Sequence, residues 1–226
     1  PPALFEIPEV IKDSLSHQRA REAMPIGGSV LDIGCGGGIG AFAITPPASH
    51  VIGVDEQQEM LDLFTNNAAK FGTSVETVLG QWPAVADSTP VADVVTVHHV
   101  AFNVGEIVPF LAALNARARK RVVIEVPVVH PMSNMNDGWK HFWNLIRPTV
   151  PVAGDLINVL DEIGIEATIE YFEGEILLDK KVDGANGFIR RRLCLPEERQ
   201  GEIDAFIAAH PLPERRHLAV IWWDVQ

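Results

Sequence analysis

Short apolar, β-branched runs alternate with helical patterns through the first 130 residues. Segments 29–33 (SVLDI), 50–54 (HVIGV), 74–79, 91–97 (VADVVTV) and 122–126 (VVIEV) read as strands. Between them, residues 56–71 read as a helix, and 107–118 as another with Ile107, Val108, Leu111 and Leu114 on one face. Residues 6–22 read as an N-terminal helix, with Ile7, Val10, Ile11 and Leu15 on one side. Strands that are apolar almost throughout are buried on both faces. Strands separated by helices require right-handed crossovers, so the pattern predicts a parallel sheet covered on both sides.

After Pro127 the rhythm changes. Residues 127–150 hold one short helical pattern between prolines, 155–163 is helical and stops at Gly164, and 165–172 is a strand. Residues 173–217 are irregular, with helical patches around 187–194 and 197–209, and the chain closes on the strand LAVIWWDV at 218–225. The expected organisation is one domain over 1–226, with cap-like insertions at about 127–150 and 173–217.

Composition narrows the partners. With 226 residues, 47 % of them hydrophobic, the chain can fill a core, which excludes a collagen-like or disordered polymer. Its formal charge is −12 with no basic tail, so it repels phosphate polymers and a nucleic-acid partner is not expected. Cys35 and Cys194 cannot make a disulfide framework, which fits a reducing, cytoplasmic setting. Glu6, Glu9, Lys12 and Asp13 leave no room for the apolar core of a signal peptide. Residues 33–54 lack charges, but six glycines and Pro46-Pro47 rule out a membrane helix there.

The informative stretch is VLDIGCGGG at 30–38, a buried strand ending in Gly34-x-Gly36-x-Gly38 and feeding a helix. Such a loop lets a ligand approach the backbone closely beside amides at a helix start. Gly36-x-Gly38-x-x-Ala41 also satisfies a relaxed dinucleotide fingerprint. Asp55 ends the second strand, where a carboxylate can accept both hydroxyls of a ribose, and it suits either cofactor. Asp32 discriminates between them. A carboxylate two residues before the loop repels a pyrophosphate and attracts an ammonium, which favours an amino-acid-bearing nucleoside. An NAD(P)-dependent oxidoreductase is the alternative. It is disfavoured further because Tyr171, the single tyrosine, is followed four residues on by Glu175 rather than lysine.

Through VLDIGCGGG, VIGVDEQQEML, ADVVTVHHV and RVVIEVPV, over about residues 28–127, the chain resembles the class I S-adenosylmethionine-dependent methyltransferases. The resemblance implies a Rossmann-like α/β fold: a seven-stranded, mostly parallel sheet with helices on both faces and an antiparallel last strand inserted beside the sixth. It implies that Asp32 meets the amino end of the methionine, that Gly34, Cys35, Gly36 and Gly38 form the cofactor loop, and that Asp55 holds the ribose. Glu56 would lie beside the adenosine. Gln81 stands where the family usually carries an acid near the adenine, and Trp82 could stack on it.

His98 and His99 follow the fourth strand, where the family places cofactor and substrate contacts. Neighbours on an extended strand point oppositely, so at most one faces the transferred methyl; the expectation is His98 at the cofactor and His99 as a base. His130 follows the fifth strand and is the second candidate base. Histidines satisfied by local hydrogen bonds are the alternative for each. No metal is expected, since the adjacent pair cannot easily share an ion and no His-x-x-x-His spacing occurs.

Trp139, Phe142, Trp143 and Ile146 form a helical apolar stripe, with His141 on the opposite face. It either roofs an apolar or aromatic acceptor, making Trp139 and Trp143 pocket residues, or simply packs. Arg117 to Arg121 reads as a basic helix end, and Arg190–Arg192 as a mostly solvated run. The expected activity is methyl transfer to a small molecule, with a cofactor-binding module lacking turnover as a further alternative.

Overall fold

The computed structural model describes residues 5–8, 10–175, 184–211 and 215–226. Its strands are β1 (Ser29–Ile33), β2 (His50–Asp55), β3 (Ser74–Leu79), β4 (Ala92–His98), β5 (Ala118–Pro127), β6 (Thr168–Glu175) and β7 (Arg215–Asp224). They form one sheet in the order β3-β2-β1-β4-β5-β7-β6. β1 pairs in parallel with β2 and β4, β2 with β3, and β4 with β5, while the last strands are antiparallel. The chain direction across the sheet reverses between β1 and β4, which opens a crevice beyond the carboxyl ends of those strands. Register brings the chemistry to that edge: Asp32 stands beside Gly53 and Thr96, and His98 beside Glu125.

The helices are α1 (Leu15–Ala23), α2 (Ile39–Phe42), α3 (Gln58–Phe71), α4 (Ile107–Arg117), α5 (Asn136–Trp143), α6 (Ala153–Glu162), α7 (Gly184–Arg192) and α8 (Gln200–Ala209). The chain divides into two compact units. The first holds residues 1–126, 153–172 and 218–226; the second holds 127–152 and 173–217. The first is centred on Val30, Val51, Val94, Val123 and Val220, with Phe42 and Phe64 filling the space under the glycine loop. The second has an apolar cluster of its own, built from Met135, Ile189, Leu193, Leu195 and Ile203.

Three sequence expectations need correction. The N-terminal helix begins at Leu15, not near residue 6, because Ser14 caps it: its Oγ accepts from the His17 amide, and His17 Nδ1 accepts from the Ser14 amide. Ile7 is buried nonetheless, ahead of the helix. β5 begins at Ala118, so Arg119, Lys120 and Arg121 belong to a strand and not to a helix end. Arg121 is buried, paired through Nε and Nη2 with Asp224, and 4.1 Å from the Trp222 ring centroid. Tertiary contacts outweigh the helix-dipole role there. The third concerns the aromatic stripe of α5. The helix ends at Trp143, where Asn144 turns left-handed, so Ile146 lies beyond it and is almost fully exposed. Among the described residues no helix is long and apolar enough to cross a membrane.

Candidate functional site

The loop between β1 and α2 turns on Gly34, Gly36 and Gly38, with φ of 67°, 49° and 93°. Side chains rarely adopt that left-handed region, and for Gly38 a Cβ would also stand 2.2 Å from Phe42. Gly34 and Cys35 amides both donate to the Val54 carbonyl, at 2.8 and 3.0 Å, so the loop is stitched to the end of β2. Asp55 completes that seam. Its Oδ2 accepts from the Gly36 amide at 3.1 Å and its Oδ1 from the Gln57 amide at 3.0 Å. Each oxygen keeps a lone pair, enough to accept from two vicinal hydroxyls. Glu56 next to it is exposed, and Gln81 is exposed at the end of β3.

Trp82 is buried and donates its indole N–H to the Phe110 carbonyl across 3.3 Å, so its polar edge is committed to α4. The Cys35 side chain is buried against Gly53 and Phe64 and faces the core rather than the crevice. Burial, with Asp32 and Asp55 nearby, pushes its thiol pKa up, which leaves no nucleophile.

Asp32 is 2 % exposed, accepting from Thr96 Oγ1 at 3.1 Å and from the Ala41 amide. Burial pushes its carboxyl up to about 7. It converges with His98 over Gly40, where a Cβ would lie 3.2 Å from both Asp32 Oδ1 and His98 Nδ1. His98 is pushed down to about 4 by burial, so it is neutral at pH 7. It stacks on His17 of α1, with ring centroids 5.4 Å apart, and His17 is also pushed towards neutrality by burial. The Nε2 atoms of His17 and His98 are buried without a hydrogen-bond partner among the described residues. Two such nitrogens mark a place built for a polar group.

The expected opposition of His98 and His99 does not hold. His98 ends β4, and His99 leaves the strand at φ 61°, so alternation stops between them and both rings act on one carboxylate, Glu125. His99 Nε2 lies 3.1 Å from Glu125 Oε1, and the His99 amide donates to the Glu125 carbonyl at 2.8 Å. Ser16 Oγ donates to Glu125 Oε2, which Ser14 Oγ approaches at 3.4 Å. Burial would raise the Glu125 carboxyl. The His98 and His99 rings and the Ser16 hydroxyl outweigh it and hold the group below the usual carboxylate range. Reading the sequence missed Glu125 and Ser16. The one available signal was an acid inside the otherwise apolar run VVIEV.

The remaining candidates lie in the second unit. His130 Nδ1 accepts from the Met132 amide at 3.1 Å and caps a short 3-10 turn, a local structural bond. Trp139 and Phe142 pack on the apolar cluster of that unit, and Arg147 lies 5.2 Å from the Trp139 ring centroid. Trp143 is 47 % exposed and anchored by its N–H to the Leu193 carbonyl at 2.7 Å. A cavity of about 380 Å³ in this unit is walled by Met135, Gly138, Ile189, Leu193, Phe206 and Ile207; neither Trp139 nor Trp143 lines it. Arg190 is spent on Gln200 and the Leu195 carbonyl, and Arg192 lies over Phe188.

Comparison with known proteins agrees with this geometry. Residues 30–120 match the family described as a methyltransferase domain. A protein of Haemophilus influenzae, described as uncharacterized, is 30 % identical over 169 residues, covering 73 % of this chain and 61 % of the relative. A "Probable cobalt-precorrin-6B C(15)-methyltransferase (decarboxylating)" of Pyrobaculum calidifontis is 39 % identical over 90 residues, 38 % of this chain and 44 % of that one. The chain thus spans less than two thirds of the curated relatives it matches. A SAM-dependent methyltransferase from Aquifex aeolicus shares the fold, with a TM-score of 0.57, 14 % identity and coverage of 100 % and 99 % of the two chains. The glycine loop, the acid closing β2 and the strand order point the same way as the family match, which gives residues 30–120 as a methyltransferase domain.

Proposed function

We propose that the protein transfers a methyl group from S-adenosylmethionine to a small-molecule acceptor. The observation that carries this reading is Asp55, held by the Gly36 and Gln57 amides beside a loop of left-handed glycines. The residues present fit the cofactor. Asp32 offers a buried carboxylate to its ammonium and Asp55 offers two acceptors to its ribose, while Phe5 packs over Gly36 and Gly37 of the loop. Glu56, Gln81 and Trp82 would border the adenosine, and His98 the methionine end.

When bound, S-adenosylmethionine supplies an electrophilic methyl on a sulfonium. The chain's own part is to align donor and acceptor, which can account for roughly 7–11 kcal/mol of barrier, and to hold a base at His99. His130 is a weaker candidate base, since its Nδ1 is spent on Met132. The net charge of −12 supports a small acceptor over a nucleic acid. The relative named for a cobalt-precorrin supports a small acceptor too, without naming this one. Trp139 and Trp143 remain candidates for an acceptor wall, and the charge and cysteine usage support a cytoplasmic protein.

Calorimetric titration with S-adenosylhomocysteine and, separately, NADH tests the reading. Binding of the first and not the second is expected; the reverse would make the protein an oxidoreductase. Binding without release of label from methyl-tritiated S-adenosylmethionine, across small-molecule acceptors, would reduce it to a binding module.

A further inference from the structure

We propose that the second unit carries a binding site of its own, the cavity walled by α5, α7 and α8, and that its ligand is a small organic amine: an ammonium group on an apolar or aromatic body. The site lies wholly within that unit, and it is independent of the methyl-transfer reading above.

The cavity measures about 380 Å³. Protein interiors leave few voids larger than a water molecule, whereas ligand sites begin at about 300 Å³. This space is therefore of ligand size. It stands against the apolar cluster of the unit, since Met135, Ile189 and Leu193 belong to both. Gly138 lets the walls come together on one side. A Cβ there would stand 2.8 Å from Leu193 Cδ1, so α5 meets the end of α7 only because position 138 carries no side chain.

Its wall is apolar below and polar at the rim. Phe206 of α8 supplies an aromatic surface, and its ring is fixed by Phe142 at 5.3 Å and His210 at 4.5 Å between centroids. Asn134, Asp137 and His210 are the exposed polar residues of the lining. Asp137 has no hydrogen-bond or ion-pair partner among the described residues. Its place in the first turn of α5 suits the helix dipole, but that role does not occupy its oxygens. The tautomer of His210 is fixed by its neighbour. Nδ1 lies 3.0 Å from the Phe206 carbonyl, and a carbonyl only accepts, so Nδ1 carries the proton and Nε2 of the neutral ring is an acceptor.

The rim therefore presents a carboxylate, an imidazole lone pair and an amide. No lysine or arginine stands among the described lining residues. The arginines of α7 are engaged elsewhere, Arg190 on Gln200 and the Leu195 carbonyl and Arg192 over Phe188. An anion would meet the Asp137 charge with no cation to offset it. An ammonium finds two acceptors and a negative charge, and the net charge of −12 favours a cation as well. The apolar floor takes the body of the ligand, and the Phe206 ring suits an aromatic one.

Methyl-labelled methionine tests this directly, because the chain has 4 methionines and Met135 lines the cavity. The Met135 signal is assigned by its loss in Met135→Leu. Titration with phenethylamine should move it saturably, with a dissociation constant on the order of 1 mM, ordinary for so small a ligand. The signals of Met24 and Met60, in the first unit, should hold still. Phenethyl alcohol and phenylacetate, which share the aromatic body, should bind about tenfold or more weakly. Asp137→Asn, at an exposed position, should weaken the amine by the same factor and leave the alcohol unchanged. Ile207→Trp, which fills the cavity from α8, should abolish the response in protein whose circular dichroism is unaltered. A Met135 signal that ignores the amine, an alcohol or anion that binds as well, or an undiminished amine affinity in Asp137→Asn overturns the proposal. Movement of Met24 or Met60 without Met135 would put the amine in the first unit and overturn it too.

Discussion

The two sides of the crevice are assembled in different ways. On the β1–β2 side, Gly36 and Asp55 are 19 residues apart, and the loop they brace is defined by backbone amides and left-handed glycines. On the β4–β5 side, Glu125 meets Ser14 across 111 residues, with His98 and His99 supplied by a third segment. One side is a local construction repeated wherever a strand–glycine–helix unit occurs. The other exists only once three distant segments have folded together.

The sharpest way to separate the two sides is Asp55→Ala. Losing two hydrogen bonds to a charged acceptor, about 1.5–3 kcal/mol each, should weaken S-adenosylhomocysteine binding by roughly 10²–10⁴-fold. Calorimetry reads it, and an unchanged dissociation constant in the folded variant would remove Asp55 from the site.

The next effect is pH dependence on the same side. The carboxyl of Asp32 is raised to about 7 by burial, and an ammonium ligand pairs only with its ionised form. Binding therefore expels a proton, so affinity rises with pH and levels off above about 7. At pH 6, one unit below that value, S-adenosylhomocysteine should bind roughly tenfold more weakly than at pH 8. Asp32→Asn should flatten the curve; a curve that persists in the variant assigns the proton to another group.

Ser16→Ala probes the other side. It strips one hydrogen bond from a buried carboxylate, a loss of about 1–3 kcal/mol, and should lower Tm by several degrees. Cofactor affinity should change less than twofold. A tenfold loss would mean that the two sides are not independent.

The smallest effect expected is that of Trp143→Ala in the second unit. Half-exposed and held by one hydrogen bond to the Leu193 carbonyl, it should cost about 1 kcal/mol in thermal unfolding. Cofactor affinity should stay unchanged. A loss of about 3–5 kcal/mol, the value for a fully packed tryptophan, would contradict the exposure of this side chain.

Where sequence reading succeeded and failed follows the same division. Strands β1 to β4 were legible within one residue at each end, since apolar runs bounded by glycine and charge identify themselves. The start of β5 was read four residues late because Arg119, Lys120 and Arg121 look like a helix terminus; pairing with β4 makes that stretch strand, and Asp224, Glu22 and Trp222, brought in from far away, hold Arg121 within it. The start of α1 was missed because an apolar spacing from residue 7 suggested a longer helix than the Ser14 cap allows. Strict alternation did not place the His99 ring, since it assumes that the strand continues and the chain turns to φ 61° there.

By itself the sequence determined the parallel α/β sheet, the glycine loop and the two acids that frame it. These depend on hydrophobic periodicity and on backbone geometry available to few residues, and both act over short distances. Tertiary structure alone decided that Glu125 is an ionised partner of His99, that Cys35 faces the core and that Trp82 is committed to α4. Each of these depends on which groups surround a side chain after burial. Burial is a property of the assembled molecule, because desolvation and the partners that offset it arrive together only when distant segments pack.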